Sequence, residues 1–129
     1  MREFDETGRR KWSALVVDDE FFIAFDLEER LRRLGADDVR SACTLADAMA
    51  SMSEWTPTLA IVDWRLAGST PVKLIEQLLA RAVRVVISSG SHRSEIDQAF
   101  GDRVLYVQKP VSDEALDQAV LLLLPARRA

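Results

Sequence analysis

From Ser13 onward the chain alternates short apolar runs with stripes at helical spacing. The first run covers 14–17. Ile23, Leu27, Leu31 and Leu34 then recur at a 3.6-residue period, predicting a helix over about 20–34 that Gly35 stops. A short strand near 39–42 precedes Thr44, which has N-cap character, and a helix rich in alanine and methionine to Met52. The apolar run at 59–62 reads as the third strand. After a loop that carries Gly68, Pro71 stands where a first helical turn tolerates proline, and Val72, Ile75, Leu78 and Leu79 form an apolar stripe. A fourth strand is expected at 83–87, a short helix at 94–100, a fifth strand at 104–107 and a last helix at 113–124 that Pro125 ends.

Five β/α units in this order imply an α/β fold, a (βα)5 doubly wound five-stranded parallel sheet with helices on both faces, because right-handed crossovers return each helix over the sheet. Residues 1–11 are mixed in charge and without period, and read as a frayed leader. The expected domain therefore spans 12–125, with a tail at 126–129.

Length and charge narrow the function. A chain of 129 residues fits one domain. With 29% charged and 48% hydrophobic residues it has the balance of a soluble globular protein. The net charge of −4, with its basic residues scattered rather than striped, argues against a nucleic-acid binder. Cys43 is the only cysteine, which rules out an intrachain disulfide and a multi-cysteine zinc site, and it is expected to be a small buried hydrophobe. No apolar stretch approaches the ~20 residues of a membrane span, so no membrane role and a cytoplasmic location are expected.

Three carboxylates change the picture. Asp18 and Asp19 close the first strand and Asp63 closes the third. If those strands are parallel neighbours, all three gather at the C-terminal edge of the sheet, where open α/β folds place their sites. Two unit charges about 4 Å apart at an effective dielectric near 20 repel by roughly 4 kcal/mol, so the cluster requires a cation, a proton or a functional compensation. Ser89 and Lys109 fall at the ends of the fourth and fifth strands on the same layout.

Val16, Val17, Asp18, Asp19 and Glu20; Ala60, Ile61, Val62 and Asp63; Ser89 with Gly90; and Lys109 with Pro110 together resemble the receiver domain of two-component response regulators, the CheY-like fold. None of these motifs is specific alone; the four in this order, each at a strand end, are. The resemblance covers about 13–124. Glu20, Ile23, Ala24, Asp26, Leu27 and Glu28 are further similar to the first helix of an alphaproteobacterial group of single-domain receivers with a Phe-Ala-Thr-Gly loop, as is the short Asp63 to Ser89 span with Pro71 and Val72. Ile87, Ser88, Ser89 and Gly90 depart from that loop; serine keeps the hydroxyl and loses a methyl.

The resemblance implies that Asp63 accepts a phosphoryl group from a phosphohistidine with Mg²⁺, and that phosphorylation and dephosphorylation are self-catalysed, without enzymatic turnover. Asp19 and Asp63 would bind the ion directly, Asp18 through water, and the Arg65 backbone carbonyl would complete the set. Lys109 pairs with Asp63 and then with a phosphoryl oxygen, and Ser89 offers its hydroxyl to another. Whether Ser88 shares that role stays open. Tyr106 occupies the family's switch position or is a partly buried strand aromatic, and Pro110 is expected after a cis peptide bond. The Arg65 side chain is either a solvent-exposed loop arginine or a control on water reaching the phosphoryl group. His92 is expected as a surface loop residue, and Met49 and Met52 as core.

A histidine kinase or histidine phosphotransfer protein is the implied donor. Phe22 and Phe25 either dock it or belong to a wide buried helix face. The downstream target is unknown and a homodimer remains open; the signal leaves by conformational change or onward phosphotransfer. Two alternatives differ in class: a receiver-like module that binds protein without phosphorylation, and a haloacid-dehalogenase-type phosphohydrolase. The second requires an aspartate two residues after its nucleophile, where this chain has Arg65.

Overall fold

Strands β1 (Ser13–Val17), β2 (Asp38–Ala42), β3 (Leu59–Asp63), β4 (Arg84–Ser89) and β5 (Leu105–Gln108) form one parallel sheet in the order β2-β1-β3-β4-β5 in the computed structural model, which describes residues 10–124. Helices α1 (Phe21–Arg33), α2 (Leu45–Met52), α3 (Val72–Ala80), α4 (Arg93–Phe100) and α5 (Asp113–Leu123) fill the crossovers. The doubly wound (βα)5 expectation holds. Of the leader expected at 1–11, residues 1–9 lie outside the described residues, as do Pro125 and the tail expected at 126–129.

Strand alternation explains the two layers. Leu15, Val17, Ala60, Val62, Val85 and Ile87 face a core that contains Met52, Leu74, Ile75, Leu78, Ile96 and Phe100 of α2, α3 and α4. Their chain neighbours Ala14, Val16, Leu59, Ile61 and Val86 face the opposite core, with Ala24, Leu27 and Leu31 of α1 and Leu116, Ala119 and Val120 of α5. Strands buried on both faces must be apolar at consecutive positions, and β1 and β3 are.

Local signals set the element ends. Thr44 Oγ1 accepts from the Asp47 N–H at 3.0 Å and Ser112 Oγ from the Ala115 N–H at 3.1 Å, so both α2 and α5 begin on a side-chain cap. Gly35 follows α1 at φ 108°, a backbone region that glycine enters without a Cβ clash. The sheet carries β4 two residues beyond its apolar run, because Asp63 pairs in register with Ser88 and Gln108 with Ser89. Cys43 is half-buried rather than buried, since it lies just beyond the paired end of β2. Met52 is in the core, with Met49 packed against it.

Candidate functional site

Asp18, Asp19 and Asp63 meet at the C-terminal ends of β1 and β3, with one carboxylate oxygen from each within 4.8 Å of the others. Each is aimed by the backbone beside it. Asp18 Oδ1 accepts from the Glu20 N–H at 2.9 Å and Asp63 Oδ1 from the Arg65 N–H at 3.2 Å, a side chain folding back two residues as aspartates do at turns. Asp19 Oδ2 accepts from the Ala67 N–H at 2.9 Å, tying the β1 end to the loop after β3. That loop is closed by reciprocal Leu66 and Ser69 backbone hydrogen bonds of 2.9 and 3.0 Å.

Lys109 bridges two of the acids. Its Nζ lies 3.0 Å from Asp18 Oδ2 and 3.2 Å from Asp63 Oδ2, so the buried Asp18 is as much its partner as Asp63. Its backbone N–H donates to the Ser89 carbonyl at 2.9 Å, and the Lys109–Pro110 peptide bond is cis. Burial raises the Asp63 carboxyl above its ordinary value; the Arg65 N–H and the Lys109 charge oppose this and Asp18 adds to it. For Lys109, burial is the largest influence and pulls the ammonium down, yet the hydrogen bonds and charges of Asp18 and Asp63 together leave it raised. Oxygen-only donors beside a fixed ammonium suit a hard divalent cation such as Mg²⁺, which keeps several waters and takes few protein ligands.

Side chains of β4, β5 and the start of α4 converge around the loop after β4. Ser89 is buried, and its hydroxyl lies 2.5 Å from His92 Nδ1 and accepts from the Ser91 N–H at 3.3 Å. It makes no hydrogen bond to the carboxylates. Tyr106 OH donates to the Ser89 carbonyl at 2.9 Å, and Gln108 Nε2 to the Gly90 carbonyl at 2.7 Å. Trp64, next to Asp63 and buried, sends its indole N–H to Glu95 of α4 at 2.5 Å and packs edge-on against Phe100. Ser88 is buried in register with Asp63, and its hydroxyl has no hydrogen-bond partner among the described residues.

The model of the response regulator receiver domain family matches residues 14–121. The chain belongs to this family. Among solved structures, the receiver domain aligns with SdrG from Sphingomonas melonis Fr1 at 31% identity and TM-score 0.75, over 89% of this chain and 98% of that one. The receiver domain of Erythrobacter litoralis PhyR aligns at 23% identity and TM-score 0.75, over 92% and 97%. A PhyR described as an anti-anti-sigma factor, from Bartonella quintana, aligns at 21% identity and TM-score 0.72, over 87% of this chain and 48% of that one. No curated protein matches. Membership places the chain among the receiver modules of two-component signalling, a class that acts in signalling rather than in catalytic turnover.

Other expected residues of this receiver domain fall as follows. The Arg65 side chain is exposed. Phe22 and Phe25 are 83% and 52% exposed on α1, which overturns the buried-face alternative, and Phe21 at 64% joins them, stacked on Phe25 and edge-on to Phe22. Of the expected stripe, Leu27 and Leu31 are buried together with Ala24, while Ile23 and Leu34 are partly buried against the same core, and that one face suffices to seat the helix. His92 departs from the expected surface loop residue: it is half-buried at the start of α4 and bonded to Ser89. No periodicity could announce this contact, because it depends on how the loop turns. Among the described residues, no helix is long and apolar enough to cross a membrane.

Proposed function

We propose that this receiver domain takes a phosphoryl group from a phosphohistidine onto Asp63. The observation that carries this is the geometry at the end of β3: Asp63 lies 3.2 Å from the Lys109 ammonium and within 4.8 Å of two further carboxylates. In the transfer, an Asp63 carboxylate oxygen forms a bond to phosphorus as the bond from phosphorus to the donor imidazole nitrogen breaks. Catalysis of such a transfer is mostly positioning and neutralisation of charge. Mg²⁺, when bound by Asp19 and Asp63, by Asp18 through water and by the Arg65 carbonyl, would offset the negative charge of donor and acceptor. Lys109 holds Asp63 before transfer and turns to a phosphoryl oxygen afterwards, while Asp18 keeps it anchored. The Ser89 hydroxyl serves another phosphoryl oxygen, and the Tyr106 hydrogen bond to the Ser89 carbonyl links that loop to β5.

The donor is a histidine kinase or phosphotransfer protein in the cytoplasm, docking on the exposed Phe21, Phe22 and Phe25 beside the site. The output is a bound protein target or onward phosphotransfer. Incubation with Mg²⁺ and acetyl phosphate should add the mass of one phosphoryl group, and Asp63→Asn should abolish the gain. If the wild type takes no label, the chain acts as a binding module without phosphorylation. Multiple turnover of an aryl phosphate would instead move it to the phosphohydrolases.

A further inference from the structure

His92 is the chain's single histidine, and its Nδ1 lies 2.5 Å from the Ser89 hydroxyl oxygen. A serine hydroxyl has one proton to donate. The Ser91 N–H already points at that oxygen from 3.3 Å and takes one of its two lone pairs; with the ring's own proton on Nε2, the imidazole Nδ1 accepts the hydroxyl proton. The loop backbone is fastened by other groups. Tyr106 OH and the Lys109 N–H both reach the Ser89 carbonyl at 2.9 Å, and Gln108 holds the Gly90 carbonyl at 2.7 Å. These contacts hold the main chain, whereas His92 is the side chain that meets the Ser89 hydroxyl. With Nδ1 as acceptor, Ser89 can donate to a phosphoryl oxygen only by giving up the ring.

We propose that His92, with its ring proton on Nε2, is a positioning residue that competes with the phosphoryl group for the Ser89 hydroxyl, and so sets how tightly the site holds that group. The proposal rests on the assignment of Ser89 as a phosphoryl partner. His92 stands at the N-cap of α4, yet its side chain caps nothing there. Removal of the ring therefore frees the hydroxyl without undoing the helix start, where the Ile96 N–H bonds the His92 carbonyl at 3.0 Å. The competition has the size of one neutral hydrogen bond, about two- to tenfold in affinity.

The test is calorimetric titration of the full chain with beryllofluoride in excess Mg²⁺, using wild type, His92→Ala, Ser89→Ala and the double variant. His92→Ala should bind about two- to tenfold tighter than wild type and Ser89→Ala more weakly. The double variant should match Ser89→Ala, because the ring acts only through the hydroxyl. His92→Asn, which returns an acceptor oxygen near the place of Nδ1, should restore wild-type affinity. If Ser89→Ala weakens binding while His92→Ala does not tighten it, or if the His92→Ala gain persists without Ser89, the His92 proposal is overturned. Wild-type affinity in Ser89→Ala would instead overturn the assignment of Ser89, and the role of His92 with it.

Discussion

Asp63 is raised above the ordinary carboxylate value, with burial as the main cause, so the folded protein favours its protonated form more than the unfolded chain does. Its contribution to stability is fully present below the unfolded value near ~3.9 and is lost as pH rises through the higher folded value. At neutral pH, ionised Asp63 therefore opposes folding. Asp63→Asn should raise the thermal midpoint at pH 7 in a metal chelator, with the gain shrinking as pH falls toward ~4; equal midpoints at pH 7 would refute the burial argument. Lys109 has the opposite importance. Its partner Asp18 has a side chain only 2% exposed, so Lys109→Ala leaves a buried charge unpaired and should destabilise the fold by about 3 kcal/mol in urea titration without metal. The acids and the lysine were legible in the sequence, because each lies at or just past the end of an apolar run. That Lys109 sits on Asp18 as closely as on Asp63 was not, since the pairing joins residues 91 apart.

Helix α1 has two faces with different surroundings. Ala24, Leu27 and Leu31 seat it on the sheet, while Phe21, Phe22 and Phe25 remain in solvent. A triple Phe→Ser variant should therefore keep its thermal midpoint and its uptake from acetyl phosphate. Transfer from a phosphohistidine donor should slow by at least about tenfold, because exposed aromatic anchors dominate docking. Equal rates from both donors would move docking to another surface. The sequence predicted the helix but could not assign these aromatics, because they widen an apolar stripe that would look the same if buried. Strand β4 shows the converse limit. Its polar end at Ser88 and Ser89 gives no strand signal of its own and is held by its neighbours in the sheet.

At the scale of the whole molecule, three carboxylates face one another with Lys109 paired to two of them, a repulsion that a bound divalent cation would relieve further. Mg²⁺ at a hundredfold excess over its dissociation constant should stabilise the chain by ~2.7 kcal/mol, read as a rise in the thermal midpoint. A midpoint indifferent to Mg²⁺ at neutral pH would refute the metal assignment. Trp64 follows Asp63 directly and reaches Glu95 of α4, so the same titration should change the emission of a Trp12→Phe, Trp55→Phe variant in which Trp64 is the remaining tryptophan. The sequence by itself determined the elements, their order and the presence of acids, hydroxyls and a lysine at strand ends. Those features rest on alternation, capping and chain breakers acting over a few residues. Only the tertiary structure decided where the side chains turn: Lys109 to both acids, Ser89 to His92, and the phenylalanines outward. Hydrogen bonds and ion pairs require contact within about 3 Å, and that contact is set by sheet register and loop path rather than by any repeat in the chain.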